Sequence, residues 1–477
     1  MSDCPRIVIA GVRGGSGKTT LSLAITASLR SRLGLKVIPY KKGPDYIDAG
    51  WLSMAAHNPC YNLDPFLVSK DKVMYSFLNH FSGDIAVIEG NRGLFDGMDA
   101  EGSYSTAELA KYLKAPIVLI VDCTKMTRTA AAIVQGITNF DKGVGIKGIV
   151  LNQIAGSRHE SVIRESIEKY CPVPVVGVIP RLRKHEMPER HMGLTPYYEH
   201  NNAEGVISFA ETLADKYLDM AKIIEIANSA ASLELPYALG KMQGELKATN
   251  SGSWGDGHGL RIGVFRDAAF QFYYPENFEE LERNGVKIVE INALNGENLP
   301  PVDGLYIGGG FPETNAVRLA QNALFRDAVK EAAEKGLPIY AECGGLMFLG
   351  KAIVMGGQRY PMAGIFPLVF EMRQKPEAHG YTVVEVKEPN PFYPQGTVLH
   401  GHEFHYSAVV EFGAQEDISL AFRMKRGHGI ADKKDGICYK NVLGTYTHIH
   451  ALGSPEWGRG LIAKAKEYKE KNVETHS

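Results

Sequence analysis

Two stretches of the chain carry residue types whose spacing suits chemistry. The first is Gly11-Val-Arg-Gly-Gly-Ser-Gly-Lys18-Thr19. Glycines there let backbone N–H groups wrap an anion, and a helix N-terminus behind them adds partial positive charge. Lys18 would reach β- and γ-phosphate oxygens, and the Thr19 hydroxyl would meet Mg2+. Gly11, Gly14, Gly15, Ser16, Gly17, Lys18, Thr19 and Thr20 are therefore the expected ATP ligands. The spacing departs from the usual loop: the expected glycine position holds Val12, and the glycine is Gly11.

The second stretch is Leu337-Pro-Ile-Tyr-Ala-Glu342-Cys343-Gly344-Gly345-Leu346, an apolar run, a tight turn at Cys343, then small residues entering a helix. Such an elbow lifts a nucleophile clear of its sheet. Upstream, Gly304-Leu-Tyr-Ile-Gly308-Gly309-Gly310 ends another apolar run. The N–H groups of Gly309 and Gly344 are the expected oxyanion donors. A thiol needs a base, and Gly444-Thr-Tyr-Thr-His448-Ile-His450 offers two histidines on one face of a strand. His448 is the expected base and His450 the fallback. No clear acidic third member can be read from the sequence, which leaves open whether the pair works as a dyad. The competing reading makes Cys343 a small core residue.

Two acidic segments follow candidate strands: Lys41-Lys-Gly-Pro-Asp45-Tyr46-Ile-Asp48 and Ile88-Glu89-Gly90, running on to Asp96-Gly97. In a parallel sheet both fall at the carboxyl edge, where ligands collect. Mg2+ is a hard ion that keeps few protein oxygens, so Asp45 and Glu89 join Thr19 as expected ligands. The competing reading has Asp45 capping the turn after Pro44 and Glu89 as a solvated strand end. His402 and His405, three apart, lack the further soft ligands a zinc site needs.

These residues must be positioned by elements the sequence also suggests. Arg6–Ala10, Lys36–Pro39, Ile85–Ile88, Pro116–Val121 and Lys147–Leu151 are short β-branched runs, with candidate helices such as Lys18–Leu33 and Ser105–Leu113 between them. That alternation predicts a doubly wound α/β sheet. A glycine-rich stretch follows, and a second α/β pattern begins at Arg261–Phe265 and continues through Val286–Ile291, Gly304–Ile307 and Leu337–Ala341. The expected domains are 1–232 and 260–477, with a linker at 233–259.

The bulk numbers exclude more than they assign. A chain of 477 residues holds roughly two to three domains. A net charge of -2 gives no electrostatic reason for nucleic acid or an anionic membrane as partner. Six scattered cysteines without a CxxC pair suit reduced thiols and a cytoplasmic setting. Met1 to Ile9 has no apolar core of signal-peptide length, and Ile117–Val121, the longest apolar run, is too short to span a bilayer.

The phosphate loop resembles that of the dethiobiotin synthetase-like branch of P-loop proteins. It is also similar to the loop of MinD/ParA ATPases, with Arg13 where those carry lysine. Taken together, the ordered motifs KKGPDYID, NLDPF (Asn62–Phe66), EGNRGLFDG, PERHMGL (Pro188–Leu194), YIGGGFPE, AECGGL, GHEFHYS and TYTHIH closely resemble the cobyrinic acid a,c-diamide synthase family. The resemblance covers nearly the whole chain apart from the linker. It implies a class I glutamine amidotransferase in the second half, hydrolysing glutamine through a thioester on Cys343 with His448. It implies a first half that uses ATP and Mg2+ to phosphorylate acetate side chains of a corrin precursor, ammonia then giving two carboxamides. Tyr46, Asp48 and Asp96 would face this tetrapyrrole dicarboxylate, and Asn152 would read the adenine edge. A homodimer is one assembly open to the family. Relatives acting on Ni-sirohydrochlorin or siroheme, and cobyric acid synthase, share both modules. An ATPase switch of the MinD/ParA kind would leave the second half unused.

Overall fold

A computed structural model describes residues 4–182, 189–190, 193–194, 197, 200, 202–233, 257–296 and 298–474. Most of the expected linker, and Pro188, His191 and Met192 of the segment Pro188–Leu194, lie outside them. The chain divides into two compact units, Met1–Pro65 with Lys70–Gly240, and Phe66–Ser69 with Lys241–Ser477.

The first unit is built on seven strands: β1 (Arg6–Gly11), β2 (Val37–Lys42), β3 (Tyr61–Leu63), β4 (Ile85–Glu89), β5 (Ile117–Asp122), β6 (Ile146–Ile154) and β7 (Val175–Pro180). They pair in parallel in the order β3-β2-β4-β1-β5-β6-β7. Every residue of β1, β2 and β4 is buried, as expected of strands covered on both faces. Strands β3 and β7 are not evident in the sequence. The first has three residues, and the second carries Gly177 and ends at Pro180, both of which weaken a strand pattern. Connections from β1 wind toward the β3 edge and those after β4 wind toward β7. The end of β1 therefore lies where the winding reverses, and helix α1 (Lys18–Ser31) starts there.

The second unit carries a ten-stranded mixed sheet. Its strands are β8 (Arg261–Phe265), β9 (Lys287–Ile291), β10 (Gly304–Ile307), β11 (Ile339–Glu342), β12 (Ala378–Val386), β13 (Val398–His405), β14 (Ser419–Arg426), β15 (Lys434–Tyr439), β16 (Val442–Thr445) and β17 (His448–Ile449). Their order is β9-β8-β10-β11-β16-β15-β14-β12-β13-β17. From β9 to β16 neighbouring pairs are parallel, and beyond β16 they are antiparallel. A separate four-stranded sheet comprises Ala352–Met355, Gln358–Pro361, Leu368–Met372 and Ser407–Phe412. The parallel half follows the four apolar runs of the sequence. Among the described residues no helix is long and apolar enough to cross a membrane.

Candidate active sites

In the first unit the phosphate loop runs from the end of β1 into α1. Ser16 is buried, and its Oγ donates to the carbonyl of Arg13 at 2.8 Å, which closes the loop. Gly17 sits at φ +94°, and an added Cβ would lie 2.5 Å from Asn152 Nδ2, so both backbone and space require glycine there. Lys18 is buried, with Nζ 3.4 Å from the Arg13 carbonyl. Burial pulls its pKa down, against the charge of Glu89. Arg13 pairs with Asp122 at 2.6 Å. Thr20 lies half-buried in the first turn of α1, and Gly11, Gly14 and Gly15 line the loop.

The ends of β2 and β4 bring an acidic group to this loop. Thr19 Oγ1 donates to Glu89 Oε1 at 2.8 Å. Lys41 Nζ donates to the same oxygen at 2.7 Å and to Asp48 Oδ2 at 2.6 Å. One buried ammonium thus faces several carboxylates. Burial opposes protonation of Lys41, but Asp48, Glu89 and Asp45 outweigh it and hold its pKa above the usual value. Asp48 also resists burial because of the Lys41 charge and hydrogen bond, and stays low. Burial pushes Glu89 up to about 7 and Asp45 up to about 6, since the same cation cannot neutralise all three.

This donor set suits Mg2+. Three carboxyl groups, Asp45, Asp48 and Glu89, thus face two ammonium groups, Lys18 and Lys41. Glu89 Oε2 is buried without a hydrogen-bond partner among the described residues, and the Thr19 hydroxyl stands beside the other oxygen. Both are hard oxygen donors. Asp45 has a further engagement: its Oδ1 accepts from the N–H groups of Ile47 at 2.8 Å and Asp48 at 3.0 Å, capping helix α2 (Ile47–Ala56).

The residues expected on the tetrapyrrole side separate. Tyr46 is the residue before α2, and Asp48 belongs to the Lys41 network. Asp96 is exposed in the turn after β4, where its Oδ2 accepts from Gly93 N at 2.8 Å. Asn152, expected at the adenine edge, lies against the phosphate loop. Its Nδ2 donates to the Ser16 carbonyl at 2.9 Å and its Oδ1 accepts from Gln153 N at 2.8 Å, so in this structure the amide shapes the loop. The role of Lys41 emerges only from the fold. The available signal was a lysine in the last residues of a buried strand, at the sheet edge where ligands collect.

In the second unit Cys343 stands between β11 and the short helix α3 (Gly344–Leu349), at φ +48° and ψ -98°. That region is strained for a residue with a Cβ and is typical of nucleophile elbows. The Cys343 N–H donates to the Thr445 carbonyl at 2.7 Å, which ties the elbow to the adjacent parallel strand β16. The thiol is buried. Burial pushes its pKa up, the carboxylates of Glu313, Glu342 and Glu403 add to this, and the Gly344 N–H opposes it. A thiol so placed needs a base at the moment of attack.

The oxyanion loop and the base meet beside it. A Cβ on Gly309 would collide with His448 Cε1 and lie 3.2 Å from Nε2. A Cβ on Gly344 would lie 3.0 Å from Gly310 N. His448 thus turns its Nε2 edge to the loop, while its Nδ1 lies 3.2 Å from Glu342 Oε2. Its ring stacks on His402 at 4.9 Å between centroids. The third member left open by the sequence has a candidate here: a buried carboxylate faces the base, and it belongs to the residue just before Cys343. A lone acid in the apolar run LPIYAE was the signal, since a buried charge demands a partner. The fallback base, His450, is turned elsewhere, with Nε2 3.4 Å from Glu276 Oε1 and Nδ1 accepting from Leu452 N at 3.2 Å. His402 and His405 lie buried on β13, where His405 stacks on Tyr446 at 3.6 Å.

Residues 7–194 match the family model of the CobQ/CobB/MinD/ParA nucleotide binding domain, and residues 261–456 that of the CobB/CobQ-like glutamine amidotransferase domain. A phosphate loop in one unit and a cysteine elbow in the other thus define a glutamine amidotransferase of the ligase class, with a nucleotide-binding domain. The cobyrinate a,c-diamide synthase of Magnetococcus marinus is 43% identical over 454 residues, covering 95% of each chain. That of Archaeoglobus fulgidus is 39% identical over 469 residues, covering 98% of this chain and 99% of its own. That of Listeria innocua is 37% identical over 454 residues, covering 94% and 97%. The chain belongs to the cobyrinate a,c-diamide synthase family. A MinD/ParA-like switch does not account for the match over 261–456.

Proposed function

We propose that this chain uses ATP and glutamine to amidate the a- and c-acetate carboxylates of cobyrinate. Residues 1–232 act as the synthetase, 260–477 as the glutaminase and 233–259 as their connection. The cytoplasm, where thiols stay reduced, suits six cysteines with no disulfide among the described residues.

In the glutaminase, His448 Nε2 takes the Cys343 proton and the sulfur attacks the glutamine carboxamide carbon. The N–H groups of Gly309 and Gly344 receive the developing oxyanion. The C–N bond breaks, His448 returns its proton to the leaving nitrogen, and water hydrolyses the thioester to glutamate. In the synthetase, the loop N–H groups and Lys18 bind the ATP phosphates, and the γ-phosphoryl group passes to a substrate carboxylate oxygen with ADP leaving. A carboxylate is a poor electrophile, whereas the acyl phosphate has a good leaving group. Ammonia adds to its carbonyl carbon, phosphate leaves, and the amide remains. Thr19 and Glu89 would hold Mg2+, which supplies neutralisation of phosphate charge. Tyr46 and Asp96 would face the substrate, Asp48 would act there through the Lys41 it pairs with, and Asn152 would support the nucleotide loop.

The observation that carries this reading is the meeting of Cys343, the glycine loop and His448 at neighbouring strand ends of a unit whose chain also bears the Thr19–Glu89–Lys41 group. The test offers the enzyme cobyrinate, Ni-sirohydrochlorin and siroheme separately, with ATP and glutamine, and counts added amides by mass. Two amides on cobyrinate are expected, and turnover confined to Ni-sirohydrochlorin or siroheme would reassign the macrocycle. Cys343→Ala should abolish glutamine-driven product and spare ammonium-driven product.

A further inference from the structure

We propose that Glu342 is the positioning carboxylate of the glutaminase, so that two consecutive residues, Glu342 and Cys343, serve the imidazole of His448. The proposal rests on the roles given above to Cys343 and His448. It adds a residue that the order of the chain conceals.

Glu342 ends β11 and is fully buried. A carboxylate there is costly without partners. Those it has are the His448 Nδ1 at 3.2 Å, the Ile449 N–H at 3.3 Å and the Tyr306 hydroxyl at 3.5 Å. Two of these three come from β17, the strand that carries the base. No lysine or arginine ion-pairs with Glu342 among the described residues, so the charge it can answer is the one that appears on His448. A carboxylate at Nδ1 also fixes the tautomer, which leaves Nε2 free of its proton and turned to the Gly309 loop.

The surroundings narrow the choice. From β13, His402 stacks on His448, and its Nδ1 lies 3.3 Å from the Tyr274 hydroxyl. Burial keeps His402 neutral, so it adds no second cation. From β10, Tyr306 bonds Glu342 and also accepts from Asn277 Nδ2 at 3.0 Å. Glu313 and Glu403 lie near the thiol, and Glu403 turns its oxygens to the N–H groups of His428 and Gly429. Glu276 is the other buried carboxylate with a histidine, yet its partner is His450. Glu342 meets the base at its Nδ1.

The experiment uses the full chain with Glu342→Gln, Glu342→Asp and Glu276→Gln. Three quantities are read: glutamine hydrolysis across pH, ammonium-driven amidation, and the pH dependence of Cys343 alkylation by iodoacetamide. Glu342→Gln should lower glutaminase kcat by about 10²- to 10⁴-fold with the glutamine KM nearly unchanged, since an amide donates the wrong hydrogen bond to Nδ1. Alkylation should need higher pH, because the thiolate–imidazolium pair loses its counter-charge. Ammonium-driven amidation bypasses the thiol and should persist. Glu342→Asp should recover part of the loss, and Glu276→Gln should stay near wild type. Retention of kcat within about threefold in Glu342→Gln, or an equal loss in Glu276→Gln, overturns the proposal. So does joint loss of ammonium-driven amidation, which marks a structural role. If Glu342→Gln does not fold, Glu342→Asp decides: an unchanged kcat and alkylation profile overturn the proposal. Failure of the underlying reading looks different, because Cys343→Ala would then keep hydrolysing glutamine.

Discussion

Gly309 has room for a hydrogen and nothing larger. A methyl group there meets the His448 ring, which cannot retreat because Glu342 holds its Nδ1 and His402 covers its face. Gly309→Ala should therefore lower glutamine hydrolysis by about 10²- to 10³-fold while ammonium-driven amidation continues. Stability should fall by about 1–3 kcal/mol, the usual cost of overpacking. Assays of both nitrogen sources and a melting curve check this, and near-normal glutamine hydrolysis would sink it. Gly309, Cys343 and His448 were legible because each chemistry needs particular residue types at turn positions, and turns leave a signature in sequence. Glu342 and Lys41 were not, since their meaning lies in partners distant in sequence. Asp45 shows the converse: its turn position was legible, but the same pattern served a helix cap and a metal ligand equally well.

Among the elements, the hairpin β15–β16 positions the base-bearing segment through one buried acid. Asp435 accepts from the Thr445 hydroxyl at 2.7 Å, Tyr446 N at 3.1 Å, and Thr447 N and Oγ1 both at 3.2 Å. These groups span the residues between β16 and His448. Asp435→Ala would leave several buried donors unsatisfied, at about 1–3 kcal/mol for each one not rescued by water. The expected result is a second-unit melting transition lowered by several degrees, with glutaminase lost at temperatures where ammonium-driven amidation survives. An unchanged transition would show that the staple is dispensable. The parallel strands could be read from the sequence because burial on both faces writes continuous β-branched runs, as in Ile7 to Ala10. The antiparallel strands beyond β16 have mixed polar and apolar faces, as in Ala378–Val386, and their pairing depends on partners far along the chain.

At the scale of the whole molecule, buried histidines make stability depend on acidity. Burial takes His405 down to about 4 and holds His402 well below its usual range. The unfolded chain takes up a proton near pH 6.5, while folded His405 refuses it until about pH 4. Its contribution is therefore present above pH 6.5 and lost as pH falls toward 4, by roughly 3 kcal/mol at about 1.4 kcal/mol per unit. Buried Asp435, Glu342 and Glu403 are pushed up and act in the opposite sense, so the clean measure is a difference. The stability gap between wild type and His405→Gln should move in favour of the variant by about that amount between pH 6.5 and 4. A gap that stays constant with pH would refute the assignment. The strand order has one more consequence. His448 and Glu342 stand 106 positions apart, and β16 must slot in beside β11 before the imidazole can reach its place. Such long-range pairing closes late. A nascent chain still on the ribosome thus carries a thiol without a base, and an unfinished enzyme cannot squander glutamine.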